Sequence, residues 1–404
     1  MKKLQIKYNL IHLFFFISYC ALTGYVAVFL QYKGMSNTDI GLVTGVGSLF
    51  TIVVSPIIST LPSKSKKLTM KKLINYISII TIIFYIIITL IDLPVLMIML
   101  LYMAMISLNA SIIPFLSAIC MNYLKAGYSV NFGIARGLGS VAFAFSAAML
   151  GQLIEMINPT IPAYLFVLAT LGFMIVLMTL PDAKDEVKQS NQTDQSFLNI
   201  IKKYKKYFLI LLGFSLPFAA ACSLGTYLIN IVTNLGGNTS LYGIIMFVMY
   251  VTEMPFMALT HSLLKRFKGE SLLAVAALFY IMRNFTICLA PNLFVLVIGI
   301  LFQGISYGLF TATIAYYVSD YLDERDQIMG QTLIAVMTTG LGSTIGNVIG
   351  GFLQDTLGLS SMLLFAMILT FIGVVIVETT LFIKKRDQKI KSETYKTNIS
   401  FDKC

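Results

Sequence analysis

The sequence has few charged residues, two histidines and no tryptophan. Charged residues make up 12% of its 404 residues and hydrophobic residues 57%, whereas soluble proteins usually have about 25% charged and about 45–50% apolar residues. This composition excludes a soluble globular protein. A bilayer-crossing helix needs about 20 mostly apolar residues, so roughly 230 apolar positions can furnish about a dozen such helices. The sequence therefore predicts an all-α, polytopic membrane protein.

Histidine and cysteine are too scattered to form a catalytic or metal site. His12 and His261 lie in different halves of the sequence, so neither a metal cluster nor a His-based triad can be assembled from them. The cysteines fall singly, with no spacing typical of a disulfide framework or a zinc site. We therefore expect no metal and no cofactor, and membrane-enzyme chemistry is unsupported. We interpret the five cysteines as packing residues: Cys20, Cys120, Cys222, Cys288 and Cys404.

Apolar runs bounded by Pro, Gly or charged clusters predict twelve membrane spans in two groups of six. The polar segment 182–206 separates the groups and predicts a linker between an N-terminal bundle, 1–181, and a C-terminal bundle, 207–384, which is followed by a tail, 385–404. The predicted spans lie near residues 10–31, 39–61, 73–91, 94–121, 131–154, 161–180, 207–233, 241–264, 272–290, 293–318, 328–354 and 359–383.

The basic residues are distributed asymmetrically between the predicted loops. The net charge is +11, but the lysines form short clusters between membrane-length apolar runs and cannot make one nucleic-acid-binding patch. Counted over alternate loops, 26 of the 29 Lys and Arg residues fall on the side of both termini. Since cytoplasmic loops retain basic residues, we expect both termini and the linker to be cytoplasmic in a plasma-membrane protein.

The two halves of the sequence also repeat weakly. Gly-Leu-Gly-Ser occurs at 137–140 and again at 340–343, and Asn37-Thr38 recurs as Asn238-Thr239. A near-constant offset between halves with an even number of spans predicts a parallel repeat, which is typical of two bundles that rock about a central substrate site. The glycines of these segments are interpreted as helix-crossing surfaces, because no strand precedes them as in a phosphate-binding loop.

Glu253 and Arg283 are the charged residues predicted near the middle of the membrane. They lie in consecutive spans at similar depth, about 18 Å and about 12 Å from the ends of their helices. We interpret them as a breakable ion pair in which Glu253 can take up a proton. The alternative is a fixed structural salt bridge. A pair that serves only the scaffold would be expected in both halves, but the first half has Val54 or Thr51 where Glu253 repeats and Ile82 where Arg283 repeats.

Further polar residues in the predicted spans are candidates for substrate binding. Arg136 lies about six residues into its span, where it can face a cavity or extend its side chain toward the cytoplasm. Interhelical hydrogen bonding is the alternative role for the buried amides. These amides are Asn109, Asn230, Asn284, Gln303 and Asn347.

The arrangement resembles the major facilitator superfamily over essentially the whole chain, and the lactose permease and phenylpropionate permease branch in particular. The segment from Phe132 to Arg136, followed by Gly139, is similar to the span-five segment of that branch, and Glu253 and Arg283 resemble its membrane-embedded pair. The resemblance implies substrate binding by Arg136 and proton coupling by Glu253 and Arg283.

The sequence also departs from that branch. Phe143 stands where the lactose permease has a sugar-stacking tryptophan, and Gln303 where it has a histidine. Galactoside binding is therefore not expected, and Glu253 must carry more of any proton coupling. Because the sequence has no tryptophan, a ring of the substrate would have to stack on Phe143 or on tyrosines such as Tyr25 and Tyr227.

We therefore predict a monomeric secondary transporter that moves a small polar organic solute, such as a sugar, nucleoside or organic acid, by alternating access. Proton symport is the favoured mode, and proton-coupled efflux of a drug or metabolite is the alternative. The predicted substrate-binding residues are Arg136, Phe143, Asn109, Tyr227, Asn230 and Gln303. A solute sensor or an enzyme would need a signalling domain or a catalytic cluster, and the sequence contains neither.

Overall fold

Twelve long apolar helices account for most of the chain. The computed structural model describes residues 2–64, 68–181 and 197–401, and these residues contain no strand. Each helix is long and apolar enough to cross a bilayer. In chain order we call them spans 1 to 12: Lys3–Gly24, Asn37–Pro62, Met70–Leu90, Val95–Lys125, Phe132–Met156, Ile161–Met178, Lys205–Thr226, Thr239–Leu264, Gly269–Cys288, Leu293–Tyr321, Met329–Leu357 and Leu359–Lys384.

The predicted spans agree with these helices in number and order, with shifts at their ends. Span 1 begins at Lys3 rather than near residue 10, and the last helix continues to Phe401. Residues 182–196 of the predicted linker lie outside the described residues. Its remainder contains a short helix, Phe197–Lys203, directly before span 7.

Several spans are not regular α-helices throughout. Span 4 divides into Val95–Ala110 and Ile112–Lys125, while spans 10 and 11 contain π-helical turns at Gly304–Gly308 and Val336–Gly342. Such turns often occur at functional sites because the extra residue redirects the side chains beside it. The turn in span 10 follows Gln303 directly.

Spans 1–6 and spans 7–12 form two halves that contact each other through equivalent helices. Span 2 packs against span 11, and span 5 packs against span 8. Within the second half, span 7 packs closely on span 12. These pairings are the ones expected for two bundles related by a parallel repeat.

The two ends of the bundle differ in how the halves meet. We call the end that holds both termini the terminal face and the other end the opposite face. At the opposite face the Asp355 carboxylate accepts hydrogen bonds from the backbone and side chains of Asn37 and Thr38, at 2.6–3.2 Å. Glu155 accepts one from the Thr239 backbone N–H at 3.0 Å. Carboxylates of spans 11 and 5 thus cap the first turns of spans 2 and 8 in the other half.

Hydrogen bonds between the halves continue inward from the opposite face and end near mid-span. The deepest joins Ser48 to Ser343 at 3.4 Å. Toward the terminal face, hydrogen bonds between the described residues stay within one half, as between Lys7 and the Thr179 carbonyl oxygen. Hydrogen bonds among the described residues therefore close the molecule at the opposite face and leave the two halves unjoined at the terminal face.

Candidate functional site

Glu253 lies about halfway along span 8 and is hydrogen-bonded to span 10. Gln303 Nε2 donates to Glu253 Oε1 at 2.7 Å. The Glu253 side chain is partly exposed, whereas Gln303 is buried and its own Oε1 has no hydrogen-bond partner. A partly exposed carboxylate held by a single neutral donor can exchange a proton or accept a hydrogen bond from a solute.

Arg283 in span 9 lies near Glu253 but is bonded to another residue. Arg283 is only 2% exposed, and its Nη1 donates to Asn284 Oδ1 at 2.6 Å. The two charges interact electrostatically, yet the salt bridges found among the described residues do not include them. The predicted ion pair is therefore open in this conformation.

Arg136 belongs to the half of the molecule that does not contain Glu253. It is exposed near the terminal end of span 5, and its guanidinium lies 4.4 Å from the centroid of the Phe16 ring. Its Nη1 donates to Ser140 Oγ at 2.8 Å, one turn along the same helix. The charges of Arg136 and Glu253 interact electrostatically. The cavity-facing interpretation of Arg136 stays a prediction.

Aromatic rings lie beside the charged residues, on the side of the opposite face. Phe143 is buried, and its ring centroid lies 4.2 Å from that of Tyr250 across the boundary between the halves. Tyr19 lies 6.4 Å from Phe143, and both tyrosines are partly exposed. These rings offer apolar faces and hydroxyl groups to a solute. We call Arg136, Phe143, Glu253, Arg283 and Gln303 the central cluster.

Two predicted substrate ligands lie outside the central cluster, in the closed contact at the opposite face. Tyr227 Oη donates to the carbonyl oxygens of Asn37 and Asn347, at 2.8 and 3.0 Å. The Asn230 side chain bonds to Asn37, Gln31 and Gln354 at 2.8–2.9 Å. Their polar groups are used in joining the halves, so we assign both residues to closure of the opposite face.

Asn109 is buried beside the break in span 4, and its Oδ1 has no hydrogen-bond partner. No hydrogen bond between the described residues joins its side chain to the central cluster, and its role stays a prediction.

Sequence reasoning missed several residues of the site and of the closed face. Tyr19 and Tyr250 give no signal beyond their amino-acid type, because a tyrosine within a span can face the lipid, a neighbouring helix or a cavity. Glu155 and Asp355 do carry a signal, since they are 200 residues apart. The helix starts that they cap, at Thr38 and Thr239, have nearly the same spacing in the sequence.

The described residues contain no group of three or more His, Cys, Asp or Glu side chains placed to hold a metal ion.

Comparison with known proteins identifies the fold and the family. The sequence model of the MFS_1 like family matches residues 5–382. The chain belongs to this family, within the major facilitator superfamily, and it is a transporter. This match confirms the predicted fold class and the family resemblance.

Two relatives extend the comparison. The maltose permease of Geobacillus stearothermophilus is 24% identical over 287 residues, which cover 71% of each chain. The uncharacterized transporter YwbF of Bacillus subtilis (strain 168) is 22% identical over 265 residues, or 66% of each chain.

Solved structures share the fold at lower identity. The nucleoside transporter NupG superposes with a TM-score of 0.78 at 16% identity, covering 95% of this chain and 99% of that one. A bacterial homolog of the human lysosomal transporter Spinster, inward-facing and occupied, gives 0.68 at 14% identity, over 95% and 97% of the two chains. Relatives of this kind are transporters and not enzymes.

Proposed function

We propose that the chain is a proton-coupled symporter of a small polar organic solute, with the central cluster as its substrate and proton site. The observation that carries this proposal is the environment of Glu253. Its partly exposed carboxylate accepts a hydrogen bond from Gln303 and interacts electrostatically with Arg136 of the other half. A site shared between the halves is what alternating access requires, because rocking of the bundles then changes the side from which it is reached.

The solute class is proposed from the chemistry of the cluster. Arg136 and Gln303 supply hydrogen-bond donors, Glu253 supplies an acceptor, and Phe143 and Tyr250 supply ring faces. A sugar or a nucleoside has the matching combination of hydroxyl groups and a flat or puckered ring. The names of a maltose permease and a nucleoside transporter among the similar proteins agree with this class but do not choose within it.

The orientation is proposed from the basic residues. If the terminal face is cytoplasmic in the plasma membrane, as the distribution of Lys and Arg favours, the present conformation is inward-facing. Cysteines introduced at Asn238 and Lys268, in a background without native cysteines, test this. An impermeant maleimide should label position 238 in intact cells and should leave position 268 unlabelled until the membrane is opened. The reverse pattern contradicts the proposed orientation.

The coupling role of Glu253 is tested by Glu253→Gln. A ligand is first chosen by thermal-shift screening of the purified protein against maltose, uridine, aromatic acids and peptides, since a ligand that binds the folded state raises its melting temperature. In proteoliposomes the variant should exchange this ligand across the membrane but should not concentrate it in response to a proton gradient. Its matched control is Glu378→Gln, which removes a span 12 carboxylate outside the cluster. Proton-driven accumulation by Glu253→Gln would show that coupling resides elsewhere.

A further inference from the structure

Glu253 and Arg283 are held apart by two neutral amide side chains. Gln303 binds the carboxylate at 2.7 Å, and Asn284 binds the guanidinium at 2.6 Å. Arg283 Nε has no hydrogen-bond partner, so one short bond to a neutral acceptor is the only side-chain hydrogen bond shown for this buried cation. A buried guanidinium prefers a carboxylate to a neutral amide. Something must therefore keep Arg283 on Asn284 while Glu253 lies within electrostatic range.

Asn284 can do this because two other helices hold it in place. Its side chain is fully buried, and its Nδ2 donates to Thr370 Oγ1 of span 12 at 2.8 Å and to the Pro217 carbonyl oxygen of span 7 at 3.3 Å. With both amide hydrogens used in this way, its Oδ1 is aimed at Arg283. The orientation of the acceptor is thus set by spans 7 and 12 and not by Arg283 itself.

Spans 7 and 12 form a rigid support for this acceptor. Gly213 and Gly373 allow their backbones to approach closely, since a Cβ on Gly213 would lie 3.0 Å from the Gly373 carbonyl oxygen. Both spans belong to the second half, as do Glu253, Gln303 and Arg283. Rocking of one half against the other as a rigid body therefore leaves the Asn284 support intact.

We infer that Asn284 is a positioning residue that keeps Arg283 off Glu253 in the conformation open to the terminal face. With the guanidinium held on Asn284, Glu253 can keep or release its proton to water in the open space without the full influence of an adjacent cation. If Arg283 moves to Glu253, the ion pair favours the ionised carboxylate and opposes reprotonation. This inference rests on the proposed function, in which Glu253 carries the coupled proton.

Other groups also face Glu253 and contribute to its protonation. They come from its own span and from the spans packed around it, and substitution at Asn284 leaves all except Arg283 in place. These groups are Arg136, Tyr250, Tyr280, Arg283 and Tyr307.

The test measures protonation of Glu253 directly and needs no substrate. Purified protein is titrated by attenuated total reflection infrared difference spectroscopy, and the carbonyl stretch of protonated Glu253 is identified as the band that disappears in Glu253→Gln. Asn284→Ala releases Arg283, which should move to Glu253. The midpoint of the band should then fall by about one to three pH units. Thr370→Val removes the hydroxyl oxygen that accepts a hydrogen bond from Asn284 Nδ2 and leaves the bond to the Pro217 carbonyl oxygen in place. It should lower the midpoint by a smaller amount.

Two further variants distinguish positioning from a general structural effect. Thr380→Val is the matched control, because Thr380 and Thr370 each donate to the backbone of span 12 at 2.7 Å, and no bond joins Thr380 to Asn284. It should leave the midpoint unchanged. Asn284→Asp strengthens the hold on Arg283, so its midpoint should not fall.

The inference is overturned if the midpoint of the Glu253 band in both Asn284→Ala and Thr370→Val equals that of the unsubstituted protein. It is also overturned if the midpoint falls in Asn284→Asp as it does in Asn284→Ala. Should Asn284→Ala fail to fold, Thr370→Val and Asn284→Asp still decide the question. The outcome is independent of the transport assay. A shifted midpoint together with normal proton-driven accumulation by Glu253→Gln would support the positioning role and reject Glu253 as the coupling residue.

Discussion

The terminal and opposite faces of the molecule are built from the same twelve helices but use their polar residues differently. At the opposite face, side chains of one half bond to the other half, as Asp355 does to Thr38 and Tyr242 to the Gly24 carbonyl oxygen. At the terminal face they bond within their own half, as in the Lys384–Glu270 salt bridge at 2.6 Å. The contacts at the opposite face can therefore break when the halves rock, while those at the terminal face stabilise each half as a unit.

The contacts at the opposite face are therefore expected to determine the conformational equilibrium, and those at the terminal face the stability of each half. A change at the opposite face should alter the balance between open and closed states, because its contacts exist in only one of them. A change within one half at the terminal face should affect both states equally and leave that balance unchanged. Spin labels at the exposed positions Tyr32 and Asn234 report the width of the opposite face and test this division.

The largest effect is expected at Gly243, where spans 5 and 8 cross. A Cβ at this position would lie 2.6 Å from the Ala147 carbonyl oxygen and 3.0 Å from Gly151 Cα. Backbone atoms cannot move aside easily, so Gly243→Ala should cost the closed state about 1–3 kcal/mol and shift the population about 5- to 150-fold toward an open opposite face. Double electron–electron resonance between the labels should then show a new, longer distance.

Gly225→Ala is the control for this substitution. No atom lies within 4 Å of a Cβ built on Gly225, although it too is in a span. Alanine is the better helix former, so this variant should be neutral or slightly stabilising and should keep the original distance distribution. Equal distributions in both variants would mean that close approach at Gly243 does not determine closure.

An intermediate effect is expected from Asp355→Asn. The substitution keeps the size of the side chain but removes the charge that caps the first turn of span 2. Loss of a carboxylate at a solvent-exposed helix start should cost the closed state about 1 kcal/mol, or about a fivefold change in population. The same spin-label distance should lengthen by a smaller fraction than in Gly243→Ala.

Asp39→Asn provides the matched control for Asp355→Asn. Asp39 also lies in the first turn of span 2, but it accepts hydrogen bonds from Ser36 in its own half. Its removal should not alter the distance distribution. A population shift as large as that of Asp355→Asn would contradict the division between the two faces.

Much of the fold, but only part of the site, could be predicted from the sequence. Span number, order and the repeat follow from hydropathy and spacing, because the bilayer imposes a minimum helix length. Glu253, Arg283 and Arg136 can be selected from the sequence as candidates, because charge in a membrane is costly and therefore informative. Neutral polar residues carry no such signal, so Tyr227 and Asn230 were assigned to substrate binding although they bond across the closed face.

The state of the Glu253 and Arg283 pair was also beyond the sequence. Their similar depth is predictable from helix rise, but the bonds that Arg283 makes to Asn284 and Glu253 to Gln303 are not. Which neighbour an arginine chooses depends on side-chain directions and helix rotation, and these are set by packing in three dimensions. The π-helical turn after Gln303 is a further example, since nothing in Gly304–Gly308 distinguishes it from an ordinary helical segment.

The smallest effect is expected at the terminal face, from Asp323→Asn. Asp323 bonds to Lys203 at 2.6 Å, and this hydrogen bond is the main cause of a lowered pKa of the Asp323 carboxyl and a raised pKa of the Lys203 ammonium. A carboxyl whose pKa is lower in the folded state contributes stability above its unfolded pKa of about 3.9, and this contribution is lost as the pH falls through the folded value. Both groups are solvent-exposed, so the contribution is small.

Asp323→Asn should therefore lower the melting temperature slightly at pH 7, and the difference from the unsubstituted protein should shrink as the pH is lowered below the unfolded pKa of about 3.9. Asp320→Asn, which changes an exposed carboxylate three residues earlier in the sequence, is the control and should leave the melting temperature at pH 7 unchanged. Because Lys203 and Asp323 belong to the same half, neither substitution should change the spin-label distance across the opposite face. A longer distance in Asp323→Asn would mean that contacts within one half also regulate closure, and the two faces would then not be independent.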